Sequence, residues 1–242
     1  MRKGLLLICL IFGLTTLSLA ETITIGAEND WAPYARGDGT GMGNDIVKAA
    51  FAAVGVDVVF KVQPYNRLLK TVKQGKMLGC FNVPKDSGNE NEYIFGKHEL
   101  YSADAAYFHN VNKPLRAKQK EGLKYGEKIG VVYDYGYGDF FNSSVKKGYI
   151  IKVEKRSDAI NLKMLDKGRI DGTIIYDKTA NILIKKLGIS DTVKKAFGSE
   201  STNIYVAFSK SFPKSRYYAN KLDKGLSIIK KNGVHQKILA AY

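Results

Sequence analysis

The residues best placed to do chemistry are those that an apolar run delivers to a loop or a helix start. Residues 168–177, Gly-Arg-Ile-Asp-Gly-Thr-Ile-Ile-Tyr-Asp, close a helical stretch at Gly168 and run apolar from Ile170 to Ile175. They end on Asp177, where another helical pattern begins. A strand that carries an acid to a helix start is how open α/β sheets present ligand-binding groups. Asp177 can also serve there as a helix N-cap. Residues 75–84, Gly-Lys-Met-Leu-Gly-Cys-Phe-Asn-Val-Pro, repeat the pattern and bring Asn82, a donor and acceptor in one side chain, to a strand end. The two units predict two similar lobes facing one cleft.

Further candidates flank these units. Asp30, Trp31 and Tyr34 fall in the loop after the first strand, at the cleft end of an α/β layout, and Trp31 is the only tryptophan of the chain. Its ring suits a packing anchor or a ligand platform. Arg67 lies in the first turn after the second strand. Its planar fork suits a carboxylate, and the alternative is a surface arginine on an exposed helix face. Lys85 is a weaker substitute. Tyr135 and Tyr137 stand in a turn, 134–139, where they can wall a pocket. The amides of 137–139 offer an anion a helix start, which Asp139 would oppose. Catalysis has little support. There is no Gly-x-Ser-x-Gly, and His98, His109 and His235 lack zinc-ligand spacing. No catalytic residue, metal or cofactor is expected. The glycines at 37, 39, 41 and 43 lack the spacing of a phosphate loop.

The elements that must position these groups alternate. Strands are expected over 22–26, 56–62, 77–83, 128–133, 149–153 and 170–176, with a long aromatic strand from Leu100 to Val111 suited to crossing between lobes. Thr192–Phe197 and Ile204–Phe208 read as two further strands, the second able to cross back. Helices are expected from a cap at Asn44 or Asp45 to Val54, up to Gly75, from Ser157 to Lys167, over 177–187, and over 215–231 and 234–241. The loops at 29–34 and 84–97 read as irregular. Strand–helix alternation of this kind argues for an α/β fold.

The chain has 242 residues, enough for one large or two small domains. Arg2 and Lys3, the apolar run from Leu5 to Leu14 and Ser18-Leu19-Ala20 make residues 1–20 a secretory signal peptide cut after Ala20. Cys9 lies inside that segment. Cys80 is then the one remaining cysteine, so no internal disulfide forms, which fits a bacterial envelope and a buried inert thiol. The formal charge is +15, or +13 once Arg2 and Lys3 are set aside. The lysines are scattered rather than clustered. That pattern fits a solvated basic surface and no nucleic-acid partner.

Gly41-Met42-Gly43-Asn44-Asp45-Ile46-Val47-Lys48-Ala49-Ala50, followed by Gly55-Val56-Asp57-Val58, resembles the Gly-Phe-Asp-x-Asp-Leu, helix, Gly-Val-x-Val segment of the bacterial periplasmic solute-binding proteins of the amino-acid type, solute-binding family 3. Ile129-Gly130-Val131-Val132 is similar to that family's second-lobe opening strand. Gly168-Arg169-Ile170-Asp171-Gly172 with Asp177 is similar to its Gly-Arg-x-Asp strand and following acid. The resemblance spans nearly the whole chain after residue 20. It implies the two-lobe periplasmic binding protein fold (type II), with the ligand cleft between a first lobe of 21–108 plus about 205–242 and a second of about 109–204. It also implies a monomer in the periplasm that closes on a small polar solute, an amino acid or related compound. The solute would pass to the membrane subunit of an ABC importer or be reported to a membrane sensor. A dehydratase-like enzyme on the same scaffold is the other alternative. In such proteins an acid at the position of Asp177 pairs with the ligand's amino group, and an arginine after the third strand grips its carboxylate. This chain departs at two points: Val83-Pro84-Lys85-Asp86-Ser87-Gly88 has no arginine, and Gly43 stands where the family has an acid.

Overall fold

Thr22-Ile23-Thr24-Ile25 alternates as a strand should, and β1 (Glu21–Glu28) continues two residues beyond the expected end, to Glu28. It runs parallel to β4 (Val56–Gln63) on one side and meets β5 (Gly79–Pro84) on the other. Toward its end, where both edges have neighbours, β1 is buried on both faces, and this takes in Ile25, Ala27 and the carboxylate of Glu28. The computed structural model describes residues 21–242, so the signal-peptide expectation lies outside the described residues.

Helix α1 (Met42–Ala52) covers this sheet with Ile46, Val47, Ala50 and Phe51. It starts earlier than a cap at Asn44 or Asp45 would put it. Gly41 occupies the N-cap position at φ 141°, where a Cβ would come within 2.6 Å of the Tyr34 carbonyl. Asn44 instead donates its side chain to the Gly39 carbonyl at 2.8 Å. Helix α2 (Tyr65–Lys73) turns Tyr65, Leu68 and Val72 inward. The loop expected to be irregular at 29–34 contains a short hairpin, β2 (Asp30–Trp31) with β3 (Ala35–Arg36).

The second half repeats the plan. Strands β8 (Glu127–Val132), β9 (Ile150–Lys155) and β10 (Gly172–Tyr176) alternate with α3 (Gly138–Lys146), α4 (Asp158–Asp166) and α5 (Asp177–Leu187). Between the halves stand β7 (Tyr101–Asn110) and β11 (Val193–Phe208), giving the strand order β4-β1-β5-β11-β7-β10-β8-β9, with β6 (Ile94–Phe95) beside β11. The two strands expected at 192–197 and 204–208 are one. Its ladder to β7 continues through the polar stretch between them, with irregularities between Lys195 and Phe197 and between Gly198 and Ser201. Backbone pairing does not need apolar side chains, so a hydrophobic pattern cannot see this continuity.

Helices α6 (Ser215–Lys231) and α7 (Val234–Ala240) return to the first half, where α6 packs on α1. One buried cluster runs through both halves, from Ile25, Phe51, Phe81 and Leu226 to Ile129, Phe141 and Ile174, and Leu162, Leu165, Ile175 and Ala180 form a further cluster in the second. The result is a two-lobe α/β fold. Cys80 is fully buried in the first lobe, and burial raises its thiol well above the ordinary range. Among the described residues no helix is long and apolar enough to cross a membrane.

Candidate ligand cleft

Six pieces of the chain converge between the lobes. From the first lobe come the end of β1, the β2–β3 hairpin, the end of β5 and the start of β7. The second lobe supplies the turn after β8 and the end of β10. At their meeting point lies Glu28, 1 % exposed. The Asn82 amide donates to its Oε1 at 3.2 Å, and the Tyr135 hydroxyl reaches across from the second lobe to its Oε2 at 3.0 Å. Burial pushes the Glu28 carboxyl up to about 8. The two hydrogen bonds offset this in part, while the charges of Asp30 and Asp158 add to it.

Asn82 sits at φ 68°, the left-handed region that asparagine tolerates better than most residues. That conformation at the strand end aims its side chain between Glu28 and Tyr101, whose hydroxyl donates to Asn82 Oδ1 at 2.7 Å. The glycine at position 43 has a local reason. A Cβ there would overlap Asn82 Oδ1 and press on the Phe81 ring, so the acid that the resemblance leads one to expect has no room.

Aromatic rings wall this centre. Trp31 lies 4.4 Å from Tyr34, 4.8 Å from Tyr176 and 6.0 Å from Tyr135, centroid to centroid. Tyr34 stacks on Tyr101 at 5.2 Å, and Tyr65 meets Tyr135 edge-on at 5.2 Å. Tyr137 stacks on Tyr176 at 6.4 Å, but its hydroxyl is taken by the Val132 amide. Glu28, Trp31, Tyr65, Asn82, Tyr135 and Tyr176 line an innermost space of about 10 Å³, room for one water. Beyond it lies a chamber of about 460 Å³ that includes Asp30, Asn66 and Arg156. A second chamber of about 490 Å³ runs from Tyr65 and Tyr93 to Tyr137 and Lys152. The lobes also touch through the Thr179 hydroxyl, which donates to the Ala32 carbonyl at 2.8 Å.

The expected site residues therefore divide. Trp31, Tyr34, Asn82, Tyr135 and Tyr137 gather around Glu28, and Asp30 is exposed at the rim of the outer chamber. Asp177 is the first residue of α5, beyond Tyr176 at the N-cap position. One of its oxygens pairs with Lys195 at 2.6 Å, and the other is buried with no partner. Arg67 is not brought to the cleft. The helical phase that turns Tyr65 and Leu68 inward leaves Arg67 on the solvent face. Lys85 is likewise exposed, near the Phe95 ring. The start of α3 is met by carboxylates: Ser87 donates to Asp139 at 3.3 Å, and Glu200, itself paired to Lys120, abuts Gly138.

Glu28, Tyr65, Tyr101, Tyr176 and Asp158 were not among the expected site residues. For Glu28 a signal existed, since β1 delivers an acid to a loop as β10 does. Asp158, in the first turn of α4, is buried with one oxygen unpartnered. Burial, with the charge of Asp30, pushes its carboxyl up to about 7. The histidines have structural partners: His98 meets Ser227, His109 accepts from the Leu115 amide, and His235 meets the Leu100 carbonyl.

No family model matches the chain. The lysine/arginine/ornithine-binding periplasmic protein of Escherichia coli (strain K12) is 22 % identical over 183 residues, covering 72 % of this chain and 70 % of that protein. An ancestral arginine-binding protein bound to arginine superposes with a TM-score of 0.77 at 21 % identity, over 91 % of this chain and 97 % of that one. A histidine kinase sensor domain similar to periplasmic binding proteins reaches 0.79 at 19 % identity, over 91 % and 95 %. Two lobes joined by paired crossing strands, with charged and aromatic groups gathered between them, give this chain the two-lobe fold of the amino-acid-binding periplasmic proteins.

Proposed function

We propose that this protein binds a small polar solute in the periplasm, an amino acid or a related compound, and delivers it to an ABC importer by closing its lobes. The carrying observation is Glu28, a buried first-lobe carboxylate that accepts a hydrogen bond from Tyr135 of the second lobe. A group contacted from both lobes is one through which a ligand stabilises the closed state and shifts an open–closed equilibrium. The binding named for the Escherichia coli relative and the arginine-bound ancestral protein supports this class of solute. In this reading residues 1–20 are a cleaved signal peptide and the protein acts as a monomer. Residues 21–108 with about 205–242 move against about 109–204, and no turnover occurs. Asp30, Trp31, Tyr34, Asn82, Tyr135, Tyr137 and Asp177 belong to the binding surface.

Trp31 makes the test direct, because the only tryptophan sits in the cleft. A screen of amino acids, polyamines and small organic acids is expected to yield a solute that raises the melting midpoint and changes the tryptophan emission. A screen in which nothing moves either signal would overturn the reading. Asp177→Ala is expected to weaken an amine-bearing solute tenfold or more, on the order of 1.4 kcal/mol. Unchanged affinity by calorimetry would remove Asp177 from the site. Two observations favour other uses of the same cleft. The likeness to a sensor domain favours signalling, which importer-independent ligand responses in cells would show. Two buried acids with raised pKa favour a cleft enzyme, which turnover of a bound acid would show.

A further inference from the structure

The cleft carries a one-sided charge. Glu28 lies at its inner end, Asp30 at its rim, and Asp158 keeps an unpartnered, buried oxygen close enough to act on the Glu28, Tyr137 and Tyr176 side chains. The inner space has no cationic side chain in its wall. Arg156 is the one cation lining the Glu28 chamber, and it is exposed. In the second chamber Lys73 and Lys152 are already paired with Glu92 and Glu154. The two anion-binding devices expected for an amino acid's carboxylate are both spent: Arg67 points to solvent, and the start of α3 faces Asp139 and Glu200. Trp31 Nε1 is a buried donor without a partner, but it is neutral and does not offset a full negative charge.

We infer that the preferred solute is a small organic cation without a carboxylate, an amine or guanidinium compound whose charged end sits against Glu28 among the faces of Trp31, Tyr65, Tyr135 and Tyr176. This rests on the binding-protein reading and narrows its substrate. Ring faces attract a desolvated cation, and a buried acid is best satisfied by a paired positive charge. A bound ammonium takes the place of the proton that burial keeps on Glu28, so binding releases a proton into solution near neutral pH.

Titration calorimetry of the purified protein with agmatine against L-arginine, and with cadaverine against L-lysine, tests this, because each pair differs by the carboxylate alone. The expected result is at least tenfold tighter binding of the decarboxylated member of one pair or both. Glu28→Gln, folded by circular dichroism, is expected to lose at least tenfold in that affinity. Tighter binding of the amino acids, with the preference lost in Arg156→Ala, would overturn the inference and leave the binding-protein reading standing. Binding confined to neutral or anionic solutes would do the same. If no solute of any class binds, both fall together.

Discussion

Glu28→Gln is expected to melt several degrees above the parent protein at pH 8 and close to it near pH 5. In the unfolded chain this carboxyl ionises near its ordinary value of 4.5, whereas the folded protein holds the proton to about pH 8. Between those values the folded state binds a proton that the unfolded state has lost. The group's contribution is therefore most favourable below pH 4.5, declines as pH rises, and levels off above about pH 8. A shift of this size is worth on the order of a few kcal/mol, against a total of about 5–15 kcal/mol for a typical domain.

Glutamine mimics the protonated acid and cannot ionise. Its oxygen can accept from Asn82 while its amide faces Tyr135, whose hydroxyl has the Asp30 carbonyl at 3.5 Å as another acceptor. The charged or titratable groups around Glu28 are Asp30, Asp158, Cys80 and the tyrosines at 65, 101, 135 and 176. Burial raises the tyrosines and Cys80 further, so they keep their protons across this window. Asp158, near 7, gives a slope of its own that the variant retains. Thermal melts of both proteins from pH 5 to 8 measure the difference. Parallel profiles would show that Glu28 is already ionised and hydrated at neutral pH.

Gly225→Ala is expected to destabilise the protein by about 2 kcal/mol, although alanine is the better helix former by up to about 1 kcal/mol. Gly225 lies in α6 where it crosses α1, and a Cβ there would overlap the Ala50 carbonyl group. The obstacle is backbone, which cannot rotate away, so the two helices must separate and loosen the contacts of Leu222, Leu226 and Phe51. Overlap therefore outweighs propensity. Denaturant melts should place Lys224→Ala, one residue away on the exposed face, within about 0.5 kcal/mol of the parent. A neutral or stabilising Gly225→Ala would mean that α1 and α6 shift apart freely.

Much of the fold was legible because both lobes alternate strand and helix, and each helix end carries its own punctuation, as at Gly168 and Gly188. The cleft proposed as the site was legible in its parts where a single element makes them. Asn82 and Tyr135 could be found because a strand end or a turn near a strand presents them. Glu28 escaped because the alternation of β1 fades at Gly26 and polar Asn29 and Asp30 follow, so the last inward residue looks like loop. Arg67 was misplaced by helical phase, which a chain position next to a strand does not determine. Tyr65, Tyr101 and Tyr176 come from a helix start, a crossing strand and a strand end, and only tertiary packing brings them to one carboxylate. The continuity of β11 rests on backbone pairing through polar residues, which leaves no periodic trace.

The contact between Ala50 and Gly225 also sets an order of assembly. The first lobe takes α1 from near the beginning of the chain and α6 from near its end, whereas β8 to α5 of the second lobe are contiguous. A chain that emerges N-terminus first can thus complete the cluster of Leu162, Leu165 and Ile175 while the first lobe still lacks α6 and α7. Long-range closure of this kind is slow compared with local pairing, so α1, already seated on the sheet of β1, β4 and β5, keeps its α6-facing side uncovered until the final helices arrive. The first lobe is thus closed by the last residues of the chain, and a truncation that removes α6 and α7 is expected to unfold it while sparing the contiguous elements of the second.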